Sequence, residues 1–295
     1  MAFFIAQAID GCALGALYAL FGIGLGLVFS TMGILNAAQG CYATFGAIAA
    51  LFAADDFAMP FPVAVAVGMG FAAFVAVLVD LVGFAPLRRR GGGPAGALIT
   101  SVAVWIILDG LAGFATGQQS LTFPAGTAPS AVLHIGSAEL PLLQIVTLLA
   151  LVLVTFGVHV LVTRTRFGAA MRAVGHSPAA AAIAGVNARR IAVWTALLAG
   201  GISGLAGVLA GIATSNISFT LGQGLMLRGF AAVAIGGPAD VRGIAIAGLA
   251  LGVFEGFAAP YVSGGLRDGL VLALLLGFLV LRPRGVLRGA GFTRA

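Results

Sequence analysis

Residues 11–40 read GCALGALYALFGIGLGLVFSTMGILNAAQG, and this stretch decides the fold class. From Gly11 to Phe29 no charged or amide side chain interrupts the run. About 20 apolar residues, each rising about 1.5 Å, cross the hydrocarbon core of a bilayer. The first polar break comes at Ser30-Thr31, and a second apolar run from Gly33 to Ala54 follows at once. Two membrane-length runs separated by a few residues predict antiparallel transmembrane helices.

The rest of the 295-residue chain repeats this pattern. Hydrophobic residues make up 61% and charged residues 8%, whereas soluble domains carry about 25% charged residues. A water-facing surface cannot be built from so few charges. The formal net charge of +6 comes from 15 basic residues, all of them Arg, against nine acids. Nucleic-acid binding needs a basic patch on a soluble body, and here long apolar runs separate the Arg clusters. Cys12 and Cys41 have neither metal-ligand nor CxxC spacing and read as small buried side chains. The start, MAFFIAQAIDG, lacks the basic region and small-residue cleavage site of a signal peptide, so the first helix is expected to be retained.

Further runs cover Val63–Phe84, Ala95–Ala115, Leu142–Val162, Ile191–Ala213, Leu221–Gly236, Ile244–Pro260 and Asp268–Leu281. The seventh and ninth are short, and the prediction is eight or nine transmembrane helices in an all-α, polytopic, single domain over residues 1–295. The Arg residues set its orientation. Arg88–Arg90, Arg164, Arg166, Arg172, Arg189, Arg190, Arg242, Arg282, Arg284, Arg288 and Arg294 share one side if there are nine spans. The positive-inside rule makes that side cytoplasmic. The expectation is a periplasmic N-terminus and a cytoplasmic C-terminus, with Asp10, Asp55, Asp56, Glu139 and Asp268 outside.

Many of the 45 glycines lie inside the runs. In lipid, small residues let helices approach closely. Gly200, Gly204, Gly207 and Gly211 mark the sixth run, with Ser203 beside them, and Gly248, Gly252 and Gly256 share one face of the eighth. These seams read as packing surfaces or as surfaces that also line a route. Ionisable residues at membrane depth must meet water, a partner or a cavity. Asp109 and Glu255 fall in the outer halves of their spans, and Asp80 near an inner end. Glu255 reads as an interfacial acid hydrated near the surface, a vestibule residue or half of a structural pair; Arg228 can snorkel. Asn36 and Gln39, on one face at the start of the second span, can cap, bridge to a neighbour or face the route.

Between the fifth and sixth spans lies TRTRFGAAMRAVGHSPAAAAIAGVNARR, residues 163–190, basic and too polar at its ends to span. Phe167–Val174 predicts one short helix. Ser177 as N-cap and Pro178 at the first position open a second, which Gly185 ends. The product is two short helices under the membrane, suited to anchoring at its surface or to docking in a groove on a soluble partner. Neither GxxxxGK[ST] nor a strand-introduced GxGxxG occurs, so ATP-driven transport would need a separate motor subunit.

Four blocks together resemble the inner-membrane permease of bacterial branched-chain amino-acid ABC transporters, of the H (LivH-like) type. In the first, Gly15, Tyr18, Ala19, Leu20, Gly24, Gly33, Asn36 and Gly40 match, while the family's frequent F-A-H-G is Ala37-Ala38-Gln39-Gly40. In the second, Gly168, Met171-Arg172-Ala173, Pro178, Ala180-Ala181 and Gly185-Val186-Asn187 match the ATPase-coupling segment, with Ala179 where an acid is usual. The third is GLMLRGFAAVAIGG, residues 224–237, with Gly243, Gly248, Gly252 and Glu255 beyond it, and Arg228 where Lys is common. The fourth is LRPRGVLRG, residues 281–289.

The resemblance implies ABC importer permease architecture and a translocation subunit in the bacterial inner membrane, not an enzyme. The implied partners are a second homologous permease, two cytoplasmic ATPases that bind ATP and Mg, and a periplasmic substrate-binding protein; this chain itself would hold no cofactor. Gly168, Arg172, Pro178, Gly185 and Asn187 become coupling residues. Asn36, Gln39, Gly204, Gly207, Gly248, Gly252 and Glu255 become pathway or helix-packing residues. The alternatives are an importer of the same architecture for an amide, urea or aromatic solute, and a self-contained channel or secondary transporter. A membrane enzyme is disfavoured, because His134, His159 and His176 are scattered over unrelated segments.

Overall fold

The computed structural model describes residues 2–124, 126–127, 132–135, 138–258, 269, 271–274 and 277. The ninth apolar run falls largely outside them, as do Arg267, the four Arg residues beyond it and the LRPRG block.

The described chain is an all-α polytopic membrane protein. Its helices are α1 (Ala2–Met32), α2 (Gln39–Asp55), α3 (Phe61–Val79), α4 (Ala85–Arg89), α5 (Pro94–Ala115), α6 (Leu142–Arg164), α7 (Arg166–His176), α8 (Pro178–Ile183), α9 (Ala188–Ala213), α10 (Leu221–Gly236) and α11 (Val241–Ala258). Among the described residues, six segments are long and apolar enough to cross a membrane: α1, the continuous α3–α4 segment, α5, α6, α9 and α11. At 17 residues, α2 is shorter, and α10 has 16. Among the described residues, the helical body carries a hairpin, β1 (Val132–Ile135) against β2 (Ala138–Pro141), within the long segment between α5 and α6.

A helix that is apolar all round is buried all round, and α1 follows this rule. Leu20, Phe21, Ile23 and Leu25 on successive faces are almost wholly buried. Helices α6, α9, α10 and α11 surround α1, and α9 in turn packs on α2 and α3. The outer helices present large apolar side chains instead. Ile106, Ile107, Leu111 and Phe114 of α5, and Leu149, Val152, Leu153 and Phe156 of α6, are exposed. Such broad apolar surface fits lipid or another subunit rather than water.

Local chemistry explains the breaks. Gly33 has a φ of +66°, a left-handed conformation that favours glycine, and ends α1. The second apolar run therefore does not become helical at Gly33. Residues 33–38 are irregular, so Asn36 precedes α2 rather than sharing a helical face with Gln39. Pro62 and Pro94 sit in the first turns of α3 and α5, where no donor is lost. Between α3 and α4 the helix widens into one π turn, Asp80–Phe84. There the buried Asp80 meets Arg88 through two bonds of 2.7 and 2.9 Å.

Contacts tie the bundle at both ends. Gln144 at the start of α6 donates to Asp10 of α1 at 2.6 Å, and a bridge pairs Leu121 with Ile217 beyond the ends of α5 and α9. At the opposite end, Arg242 and His159 meet at 2.7 Å. There Thr31, Met32, Arg88, Arg89, His176 and Arg189 border a recess of about 360 Å³ beneath α7 and α8.

Candidate functional site

The 163–190 segment is organised by its caps. Thr165 Oγ1 accepts from Gly168 N at 3.1 Å and opens α7. Ser177 Oγ accepts from Ala180 N at 3.2 Å with Pro178 at the head of α8, the capping that the sequence predicts. Gly185, at φ +80°, ends α8, and Val186 N donates back to Ala181 O at 2.9 Å. Asn187 Oδ1 accepts from Arg190 N at 3.1 Å and caps α9.

Close backbone contacts hold the inner side of this segment. A Cβ on Gly168 would overlap the carbonyls of Leu161 and Val162, so α7 can fold tightly against the end of α6 only with glycine there. Arg172, one turn further along α7, donates to Val162 O. Gly175 was not singled out in the sequence, yet a Cβ on it would overlap Ser30 O at the end of α1. The clue available was only a glycine within an amphipathic helix. Met171, Val174 and Ala181 are buried beneath α7 and α8, while Arg172, Pro178, Gly185 and Asn187 are exposed. Ile183 is 90% exposed, a large apolar side chain held out by a short helix.

The remaining candidates fall into three contacts. Gly248, Gly252 and Gly256 of α11 face Gly11, Gly15 and Ala19 of α1. A Cβ on Gly15 would stand 2.7 Å from Gly248 O, and one on Gly248 would stand 2.7 Å from Ala19 Cα. On α9, Gly204 lies against Ala72 of α3 and Gly46 of α2, and Gly207 lies against the Ala43 backbone of α2. Gln39 joins this second contact by donating to Ser203 Oγ at 2.8 Å and Ala199 O at 3.3 Å. Asn36 is turned to local work: its Oδ1 accepts from Ala38 N at 3.0 Å and its amide donates to the Tyr42 hydroxyl at 3.2 Å. Gln39 is thus brought to the α9 glycines, while Asn36 is not.

The third contact is ionic. Glu255 of α11 is buried, not hydrated at the surface, and Arg228 of α10 does not snorkel away from it. Arg228 Nη2 donates to Glu255 Oε1 at 2.8 Å, and its Nε reaches the two carboxylate oxygens at 3.2 and 3.1 Å. The guanidinium also donates to Gly224 O at 3.2 Å and lies 5.5 Å from the centre of the Tyr18 ring of α1. The cost of burying either charge alone accounts for the pairing. Among the described residues, no group of three or more His, Cys, Asp or Glu side chains could hold a metal ion.

The arrangement is a helical bundle with glycine-lined seams, a buried charge pair and a pair of short helices keyed to two long ones. Comparison with known proteins gives a consistent answer. The family model described as branched-chain amino acid transport system, permease component, matches residues 7–280. The chain is 27% identical to the high-affinity branched-chain amino acid transport system permease protein BraD of Pseudomonas aeruginosa, over 96% of this chain and 95% of that one. It is 28% identical to the corresponding LivH protein of Salmonella typhimurium, over 97% and 96% of the two chains. It is 25% identical to the probable LivH protein of Methanocaldococcus jannaschii, over 92% and 88%. No solved structure matches it significantly. The chain belongs to the branched-chain amino acid transport system permease family, as a multi-pass inner-membrane transport subunit and not an enzyme.

Proposed function

We propose that this chain is one half of the translocation route of an ATP-driven importer, and that it carries branched-chain or related amino acids from a periplasmic binding protein to the cytoplasm. The other half is a second homologous permease. Two cytoplasmic ATPases bind ATP and Mg and supply the work. The related proteins are named for branched-chain amino acid transport, which supports that substrate class.

In this reading α2 and α10 are short spans, and the 268–281 run is a ninth. The N-terminus is then periplasmic and the C-terminus cytoplasmic. The gathering of Arg88, Arg89 and Arg189 around the recess under α7 and α8 supports calling that end cytoplasmic.

One observation carries the mechanism: α7 is keyed by Gly168 to α6 and by Gly175 to α1, the most buried helix. A push on α7–α8 from an ATPase would therefore reach the centre of the bundle without passing through a flexible linker. Gly168, Arg172, Pro178, Gly185 and Asn187 shape this segment, and Ile183 is its exposed contact. Transport is then a population shift between inward- and outward-open states, driven by ATPase closure. Gln39, Gly204, Gly207, Gly248, Gly252 and the Arg228–Glu255 pair keep the moving helices together, and Asn36 shapes the α1–α2 turn.

The test is Gly175→Leu in the assembled importer, reconstituted in proteoliposomes. Leucine uptake should fall about tenfold, equivalent to about 1.4 kcal/mol of lost coupling, while ATP hydrolysis continues. Uptake and hydrolysis that stay in their normal ratio would remove α7 from the mechanism.

A further inference from the structure

Helices α2, α5 and α10 and the irregular segment before α2 border a partly open cavity of about 280 Å³. Its lining is apolar through Leu35, Trp105, Met226, Leu227 and Phe230, with one acid, Asp109 of α5. Asp109 is half-buried at membrane depth, where a carboxylate needs a cation or water. Among the described residues its hydrogen-bond partner is the Gln223 amide, which donates to both oxygens at 3.3 Å, and no cation lies within salt-bridge range. The contrast with Glu255 and Asp80 is direct, since each of those is held by an Arg at 2.8 and 2.7 Å. The third membrane-embedded acid is left facing a cavity.

We propose that this cavity binds the amino acid in transit: Asp109 takes its ammonium group and the apolar wall takes its branched side chain. The volume lies near the roughly 300 Å³ lower end of small-molecule sites, which pair apolar linings with few polar groups. A carboxylate with no cation beside it among the described residues is complementary to a ligand that brings one. Gly40 and Cys41 in the first turn of α2 border the same cavity, and the positive end of that helix favours the ligand's carboxylate. Gln223 holds the Asp109 carboxylate in orientation without neutralising it. The inference deepens the importer reading above and rests on it.

The assembled importer, with its binding protein, is reconstituted in proteoliposomes and leucine uptake is measured. Asp109→Asn keeps the shape and removes the charge, and should lower uptake roughly ten- to hundredfold, the scale of one charge-assisted hydrogen bond. Asp109→Glu should restore most of it. Met226→Trp, which fills the cavity without touching the acid, should also block uptake. Subunit assembly and the stimulation of ATP hydrolysis by loaded binding protein should survive in all three. Uptake unchanged in Asp109→Asn overturns the proposal. Assembly lost in Asp109→Asn and kept in Asp109→Glu also overturns it, by making Asp109 a subunit contact. If the wild-type importer carries another amino-bearing solute in place of leucine, the branched-chain reading fails while the same variants still decide the cavity. If it carries only solutes without an amino group, both fail.

Discussion

Substituting Glu255 by Leu tests the buried charge pair between α10 and α11. Three charged contacts of 2.8, 3.1 and 3.2 Å disappear together. The side chains of Arg228 and Glu255 are 16% and 9% exposed, so solvent screens the pair little. Removing one partner of such a pair costs about 3–5 kcal/mol, because the other charge stays buried. Arg228 keeps Gly224 O and the Tyr18 ring, and a desolvated cation–π contact returns up to about 2 kcal/mol. The net expectation for Glu255→Leu is a loss of roughly 2–4 kcal/mol. Arg228→Leu should cost a similar amount, but the double substitution should lie within about 1 kcal/mol of wild type, since apolar replacement of a whole pair is often neutral. The assay is reversible unfolding of the purified chain in mixed micelles, followed by far-ultraviolet circular dichroism, for all four members of the cycle. A coupling energy of at least about 2 kcal/mol is expected. Single substitutions that each cost under about 0.5 kcal/mol, and that add in the double, would refute the reasoning.

Two further outcomes follow from the seams and the charge distribution. Gly252→Ala inserts a methyl group into the Gly15 backbone and should destabilise the chain by about 1–3 kcal/mol or more; Gly110→Ala on α5, where nothing lies within 4 Å, should be tolerated in the same unfolding measurement. In a background without Cys12 and Cys41, an impermeant maleimide applied to intact spheroplasts should label Gln119→Cys and should reach Gly91→Cys only after permeabilisation; the reverse pattern would invert the proposed orientation.

The legible parts of this fold were those written in consecutive residues. Predominantly apolar runs of membrane length located the long helices, because a helix satisfies its backbone polar groups within one continuous segment in lipid. The Ser177-Pro178 start and Gly185 stop of α8 were legible because capping is local chemistry. The shared face of Gly248, Gly252 and Gly256 followed from helical periodicity, but its partner on α1 did not. The sequence contains no signal that Arg228, 27 positions away on another helix, would meet Glu255. Nor does it reveal that the backbone at Ser30 would leave room only for a glycine at position 175. The start of α2 was misplaced because mostly apolar composition runs on through Gly33–Ala38, whereas a left-handed Gly33 ends α1 and the Asn36 side chain, bonded to Ala38 N, holds a turn before α2 begins. Asp109 was legible as an acid needing a partner, and the cavity beside it was not, since a cavity is made by three segments distant in the chain.

The central claim is that this chain moves amino acids only as part of an ATP-driven assembly. The most direct measurement compares leucine uptake into proteoliposomes that hold this chain alone with uptake into vesicles that hold both permeases and both ATPases, with ATP inside and loaded binding protein outside. The account predicts accumulation against a gradient in the complete system and none with the chain alone. Uptake by the chain alone, or uptake by the complete system that does not depend on ATP, would contradict it.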